Sequence, residues 1–217
     1  MLLHLKKHPG AILTLAILVL LPFVVGLIEG ESILAVLTND AGTSKFVQGL
    51  IIEVFILALY ALSYDLIFGI TGLLSFGHSM FYAVGAYLTG VLLKNFGMSL
   101  WQTLGWVFLA SIVQALLFGI VLPRVKGITF ALVTLGMASV FHIVIMSREL
   151  GEYTGSDVGL QGALIPAFIS PAAERLRLYY VTLTILILIY LLYRRFVESP
   201  TGRVCTAIRE NEGRAKM

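Results

Sequence analysis

The residues able to do chemistry in this chain are few, and most of them interrupt apolar surroundings. Glu53, Tyr60 and Tyr64 are spaced by seven and four residues, which puts them on one face of a helix, with Ser63 and Asp65 close by. A carboxylate inside an apolar helix is costly, so it faces a bundle interior or water. Two readings follow. Either this face lines a polar pathway, or Glu53 and Asp65 lie near opposite ends of the helix and reach water there. Next comes Gly69-Ile70-Thr71-Gly72-Leu73-Leu74-Ser75-Phe76-Gly77-His78-Ser79, where glycines, hydroxyls and a histidine break the apolar pattern. Again two readings fit. The stretch is non-helical backbone at membrane depth, tolerated only where protein or a cavity surrounds it, or it is a tight turn with Ser75 or Ser79 capping the following helix.

A third polar stretch, 151–162, holds Thr154, Gly155, Ser156 and Asp157 among four glycines. It has no Gly-Lys-Ser/Thr to hold a phosphate. It reads as a gating or docking loop, or as an ordinary connection. His142 reads as an interior histidine. No Walker sequence, His-Glu-x-x-His motif, nucleophile elbow or Cys/His cluster of metal spacing occurs. No catalytic or metal-binding residue is expected, and His78 without a partner carboxylate is not a triad. The chain does not read as an enzyme.

The elements that must position these residues follow from composition. Of 217 residues, 59% are hydrophobic and only 12% charged, against about 25% charged in soluble domains. A water-soluble globule could not cover that much apolar surface, but a bilayer removes the need. A helix needs about 20 apolar residues to cross about 30 Å of hydrocarbon. Runs at 11–28, 46–68, 101–122, 128–146 and 178–193 qualify, and 80–93 does so if extended back through 69–79. The expected fold is an all-α polytopic membrane bundle of about six spans, with a glycine-broken helix region at 69–79. Residues 1–30 read as an uncleaved first span, since the apolar run is longer than in a signal peptide.

Threading six spans from an inside N-terminus puts ten of the 15 Lys and Arg residues inside and five outside, as the positive-inside rule asks. The net charge of +3 then reflects topology, and nucleic-acid binding is not implied. Ser199-Pro200 supplies an N-cap and a first-turn proline. Residues 201–215 then place Val204, Ile208 and Ala215 at helical spacing among charges. They read as an amphipathic cytoplasmic helix able to lie on the membrane or dock into a partner's groove.

Several of these segments resemble a known family. Residues 60–87, YALSYDLIFGITGLLSFGHSMFYAVGAY, resemble the LivM-like permeases of branched-chain amino-acid ABC importers. FALVTL at 130–135, TGSDVGL at 154–160, SPTGR at 199–203 and AIRENE at 207–212 resemble the same family's motifs in the same order. The resemblance implies a single transmembrane permease domain over 1–217, with a cytoplasmic coupling segment at 199–217. It implies a multi-pass protein of a bacterial or archaeal (inner) membrane. Its partners would be ABC ATPase subunits, a second permease subunit and a periplasmic substrate-binding protein. No cofactor is expected on this chain, ATP being bound by the partner subunits.

On this resemblance Ser75, Gly77 and His78 lie near the substrate path with Glu53, Tyr60, Tyr64 and Asp65. Thr201, Gly202, Arg203, Ile208, Arg209, Glu210, Asn211 and Glu212 form the ATPase contact. Asp65 and Leu73 depart from the family's usual asparagine and glutamine, and the related urea branch often shares the leucine. Urea or short amides are therefore the alternative cargo, and a secondary transporter or channel is the alternative class. Relatives continue past the coupling segment with further spans, so the chain is expected to be truncated at its C-terminus.

Overall fold

The computed structural model describes residues 9–38, 42–121, 124–125, 127–162 and 165–215; the basic residues Lys6, Lys7, Lys126 and Lys216 of the orientation argument lie outside them. Among the described residues there is no strand. The helices are α1 (Pro9–Ile28), α2 (Ile33–Leu37), α3 (Thr43–Asp65), α4 (Ser79–Lys94), α5 (Leu100–Val121), α6 (Ile128–Ile145), α7 (Arg148–Thr154), α8 (Arg175–Val197) and α9 (Pro200–Ala215). A π-helical turn, Leu66–Ile70, continues α3. Four helical stretches, Thr43–Ile70, Leu100–Ile120, Ile128–Ile145 and Arg175–Val197, are long and apolar enough to cross a membrane, and Ile12–Ile28 and Ser79–Lys94 are shorter apolar helices. The six runs read from hydropathy therefore all appear as helices, and the chain is an all-α membrane bundle. Helix α8 outruns its apolar core at both ends, taking in Arg175 and Arg177 at its start and Arg194 and Arg195 in its last turn, with the Arg175 guanidinium donating to the Pro171 and Lys45 carbonyls at 2.8 and 3.0 Å. Between α6 and α8 the described residues form α7 and two 3-10 turns.

The chain forms two compact units, one comprising residues up to Leu59 and Pro166–Leu191, the other Tyr60–Ile165 and Leu192 onwards. In the first, Ile52, Phe55, Tyr179 and Leu183 form a buried cluster that Leu18, Ile51 and Ile56 flank. The Phe55 and Tyr179 rings lie 5.2 Å apart. Pro22 sits inside α1. Lacking an N–H, it cannot bond the carbonyl four residues back, that of Leu18. The Tyr179 hydroxyl, wholly buried, donates to that same carbonyl at 2.6 Å. The Pro22 carbonyl in turn accepts from Ser44 Oγ at 3.0 Å.

In the second unit α4 and α5 pack through Phe81 and Phe118, whose rings are 4.7 Å apart. Ser99 and Gln102 open α5 with a reciprocal cap. The Ser99 amide donates to Gln102 Oε1 at 3.1 Å, and the Gln102 amide to Ser99 Oγ at 3.4 Å. Ser199 caps α9 as its sequence foretells, accepting from the Gly202 amide at 3.2 Å.

Tyr179→Phe strands the Leu18 carbonyl and is expected to destabilise the protein by about 1–2 kcal/mol. In a Pro22→Ala background the restored amide meets that carbonyl, and the same substitution should cost clearly less. A double-mutant cycle of unfolding in detergent measures the difference, and equal costs in both backgrounds would refute the pairing.

Candidate functional site

The break between α3 and α4 is docked into the side of α6. The Phe76 amide donates to Thr134 Oγ1 at 3.2 Å, and that hydroxyl donates to the Ala131 carbonyl at 2.8 Å. Gly77 lies so close that a Cβ there would run into the Thr134 carbonyl and crowd Ala138. Only glycine allows two backbones to approach this closely. Thr134 is six residues into an 18-residue apolar helix, about 9 Å from its end at 1.5 Å per residue. The break is thus packed beside the interior of a candidate span. Neither Ser75 nor Ser79 caps α4. Ser75 is buried, and the N-cap position belongs to His78, which makes no side-chain cap bond.

His78 fastens the break to α3. Its Nε2 is 2.8 Å from Ser63 Oγ, and the Ser63 hydroxyl lies 2.7 Å from the Tyr60 carbonyl, to which it donates. With that proton committed, Nε2 acts as donor and Nδ1 is left as an acceptor. Nδ1 is buried and has no partner among the described residues. Tyr60, Tyr64 and Phe81 surround the imidazole at ring distances of 5.2, 5.4 and 5.8 Å. His78 as a whole is 6% exposed. Tyr60, Tyr64 and His78 thus come together, and Ser63 joins them as the hydrogen-bonding member. Its position one turn before the break, on the same helix as Tyr60, is the signal that marks it.

Other candidates are placed differently. Glu53 is exposed on α3 in the first unit. Asp65 accepts from the Tyr193 hydroxyl at the end of α8. In α9, Arg209 turns back to the break: its guanidinium donates to the Gly69 carbonyl, and its stem lies over Gly72, whose φ is +74°. A side chain at Gly72 would be strained by that φ and would meet the Arg209 stem. Thr201, Arg203, Glu210 and Asn211 are exposed and Gly202 is buried. Ile208 and Val204 present an apolar stripe, 44% and 55% exposed. Asn211 leaves helical geometry at φ −159° and interrupts α9. The Glu212 side chain lies outside the described residues.

The 151–162 stretch closes the end of α6. Thr154 Oγ1 donates to the Ile145 carbonyl at 2.8 Å and Ser156 Oγ to the Met146 carbonyl at 3.0 Å. These are carbonyls that a helix end leaves unbonded. Gly155 ends α7 with φ +81°, and Asp157 is exposed.

Residues 46–217 match the family model described as branched-chain amino acid transport system / permease component, and the chain belongs to that family. It is 26% identical over 178 residues to the high-affinity branched-chain amino acid transport system permease protein LivM of Salmonella typhimurium, covering 71% of this chain and 41% of the relative. The Escherichia coli protein of the same name matches to the same extent. The chain therefore spans about two fifths of the length of these curated relatives. No solved structure matches it. The chain is a multi-pass membrane member of this family.

Gly77→Ala drives a methyl into the backbone of α6 and is expected to cost about 1–3 kcal/mol, as overpacking does. Gly85→Ala, where a Cβ meets nothing within 4 Å, should be neutral or stabilising by up to about 1 kcal/mol. Thermal unfolding of the two variants in the same detergent makes the comparison.

Proposed function

We propose that this chain is a path-forming subunit of an ATP-driven importer for branched-chain amino acids, and that α9 transmits the motion of ATPase subunits to the break. The supporting observation is the seat of α9 on the π-helical turn. Arg209 holds the Gly69 carbonyl and covers Gly72, within ten residues of His78. A helix gripped from outside through Val204, Ile208 and Glu210 would pull on the break through Arg209. ATP is bound by the partner subunits, and this chain supplies no cofactor site of its own. A second permease subunit completes the path, and a periplasmic binding protein delivers the amino acid at the 151–162 stretch. The protein sits in a bacterial or archaeal cell membrane, the inner one where there are two, with its N-terminus and α9 inside. Residues 1–217 act as one permease domain, whose coupling segment is 199–217.

Arg209→Gln in the full-length protein, assembled with its ATPase subunits, tests this. Leucine uptake per ATP hydrolysed should fall at least tenfold, while the ATPases still co-purify. Loss of co-purification would make Arg209 a direct ATPase contact and not a strut. Undiminished uptake per ATP would remove it from coupling altogether. Uptake of urea in place of leucine by the unmodified complex would overturn the cargo.

A further inference from the structure

A cleft between α4 and α6 remains outside everything assigned so far. Its volume is about 140 Å³, and it lies between Ser79, Met80, Ala83 and Tyr87 on one helix and Ala138, Phe141, His142 and Ile145 on the other. The two helices run parallel there. Gly77 stands against Thr134 and Ala138, and Gly90 stands against Leu160, beyond the C-terminal end of α6. The cleft therefore begins at the docked break and extends toward the 151–162 stretch.

Its chemistry is divided. Met80, Ala83, Ala138 and Phe141 make apolar walls. Ser79 brings a hydroxyl at the break end, while Tyr87 and His142 bring a phenol and an imidazole further along. None of these three side chains has a hydrogen-bond partner among the described residues. Ser79 and His142 are exposed and Tyr87 is half-buried, and polar side chains beside apolar walls on membrane helices face a cavity or a polar partner. A lipid tail would fill the apolar walls but leave all three polar groups without a partner. A small solute with an aliphatic tail and a polar head serves both needs. The volume suits the aliphatic tail, since a cavity of about 150 Å³ takes up benzene, close in size to a branched aliphatic side chain.

We infer that this cleft is a binding site for a branched aliphatic amino acid. The side chain lies between Ala83, Ala138 and Phe141, and the charged head lies at Tyr87 and His142. This rests on the importer reading above and assigns residues to it. Ser79 adjoins His78, so an occupant at the break end touches the segment that Arg209 holds at Gly69 and Gly72.

The test is the leucine-induced rise in unfolding temperature of the full-length permease in its complete complex. The unmodified complex should show the rise. Ala83→Leu, which fills the cleft, should abolish it. His142→Asn and Tyr87→Phe, at positions not fully buried, should each raise the leucine concentration needed for half the rise at least tenfold. Glycine and urea should produce little rise at the same concentrations. An undiminished response in His142→Asn and Tyr87→Phe overturns the cleft, whatever Ala83→Leu does. So does the absence of a rise in an unmodified complex that nonetheless takes up leucine. A complex that neither responds to leucine nor transports it overturns the importer reading, and the cleft with it.

Discussion

Everything in this chain turns on what happens to a backbone carbonyl or amide that lipid will not accept. In the first unit, Pro22 removes one intrahelical bond from α1, and the Tyr179 hydroxyl replaces it from 161 residues away. In the second unit, the break between α3 and α4 frees several groups, and they are met by Thr134, Arg209 and the helix ends beside them. The folded state is held at these places by directional bonds with few alternatives. Greasy contact alone would allow the helices to slide, because lipid tails are as apolar as leucine. Each substitute bond therefore fixes a register as well as offsetting a desolvation cost.

The helices and their approximate bounds could be read from hydropathy, because a span must be apolar over a fixed length whatever its neighbours do. Ser199-Pro200 was equally legible, since a cap is a local device. The uses of the polar residues were not. Nothing near Pro22 points to Tyr179, and nothing near Gly77 announces that α6 lies against it. Those pairings depend on which helices become neighbours, which a single sequence does not reveal. Thr154 and Ser156 show a related ambiguity. Hydroxyls in a glycine-rich loop look available to a ligand, yet both are spent on closing α6. Arg209 looked like an outward charge on an amphipathic helix, and it folds back onto Gly69. The ambiguity between a turn and a docked break at 69–79 was resolved by packing alone.

The second unit thus gathers three attachments around one short stretch. His78 ties the break to α3, Thr134 ties it to α6, and Arg209 reaches it from α9. The aromatic rings around His78 exclude water and make the tie directional, since an imidazole between Tyr60 and Tyr64 has little freedom to turn. Departures from regular helix are expensive in a membrane, and here one departure is bonded on three sides.

The π-helical turn Leu66–Ile70 sits at the start of this arrangement. A π turn spends more chain per revolution than an α turn does. The surplus is slack held within the turn whose Gly69 carbonyl Arg209 grips. Were that grip released, rewinding to α geometry would advance the following chain by about one residue, some 1.5 Å along the axis and about 100° around it. A rotation of that size would turn a side chain from one face of the helix to another. The chain thus carries, between α9 and its break, the length needed for about a quarter-turn screw.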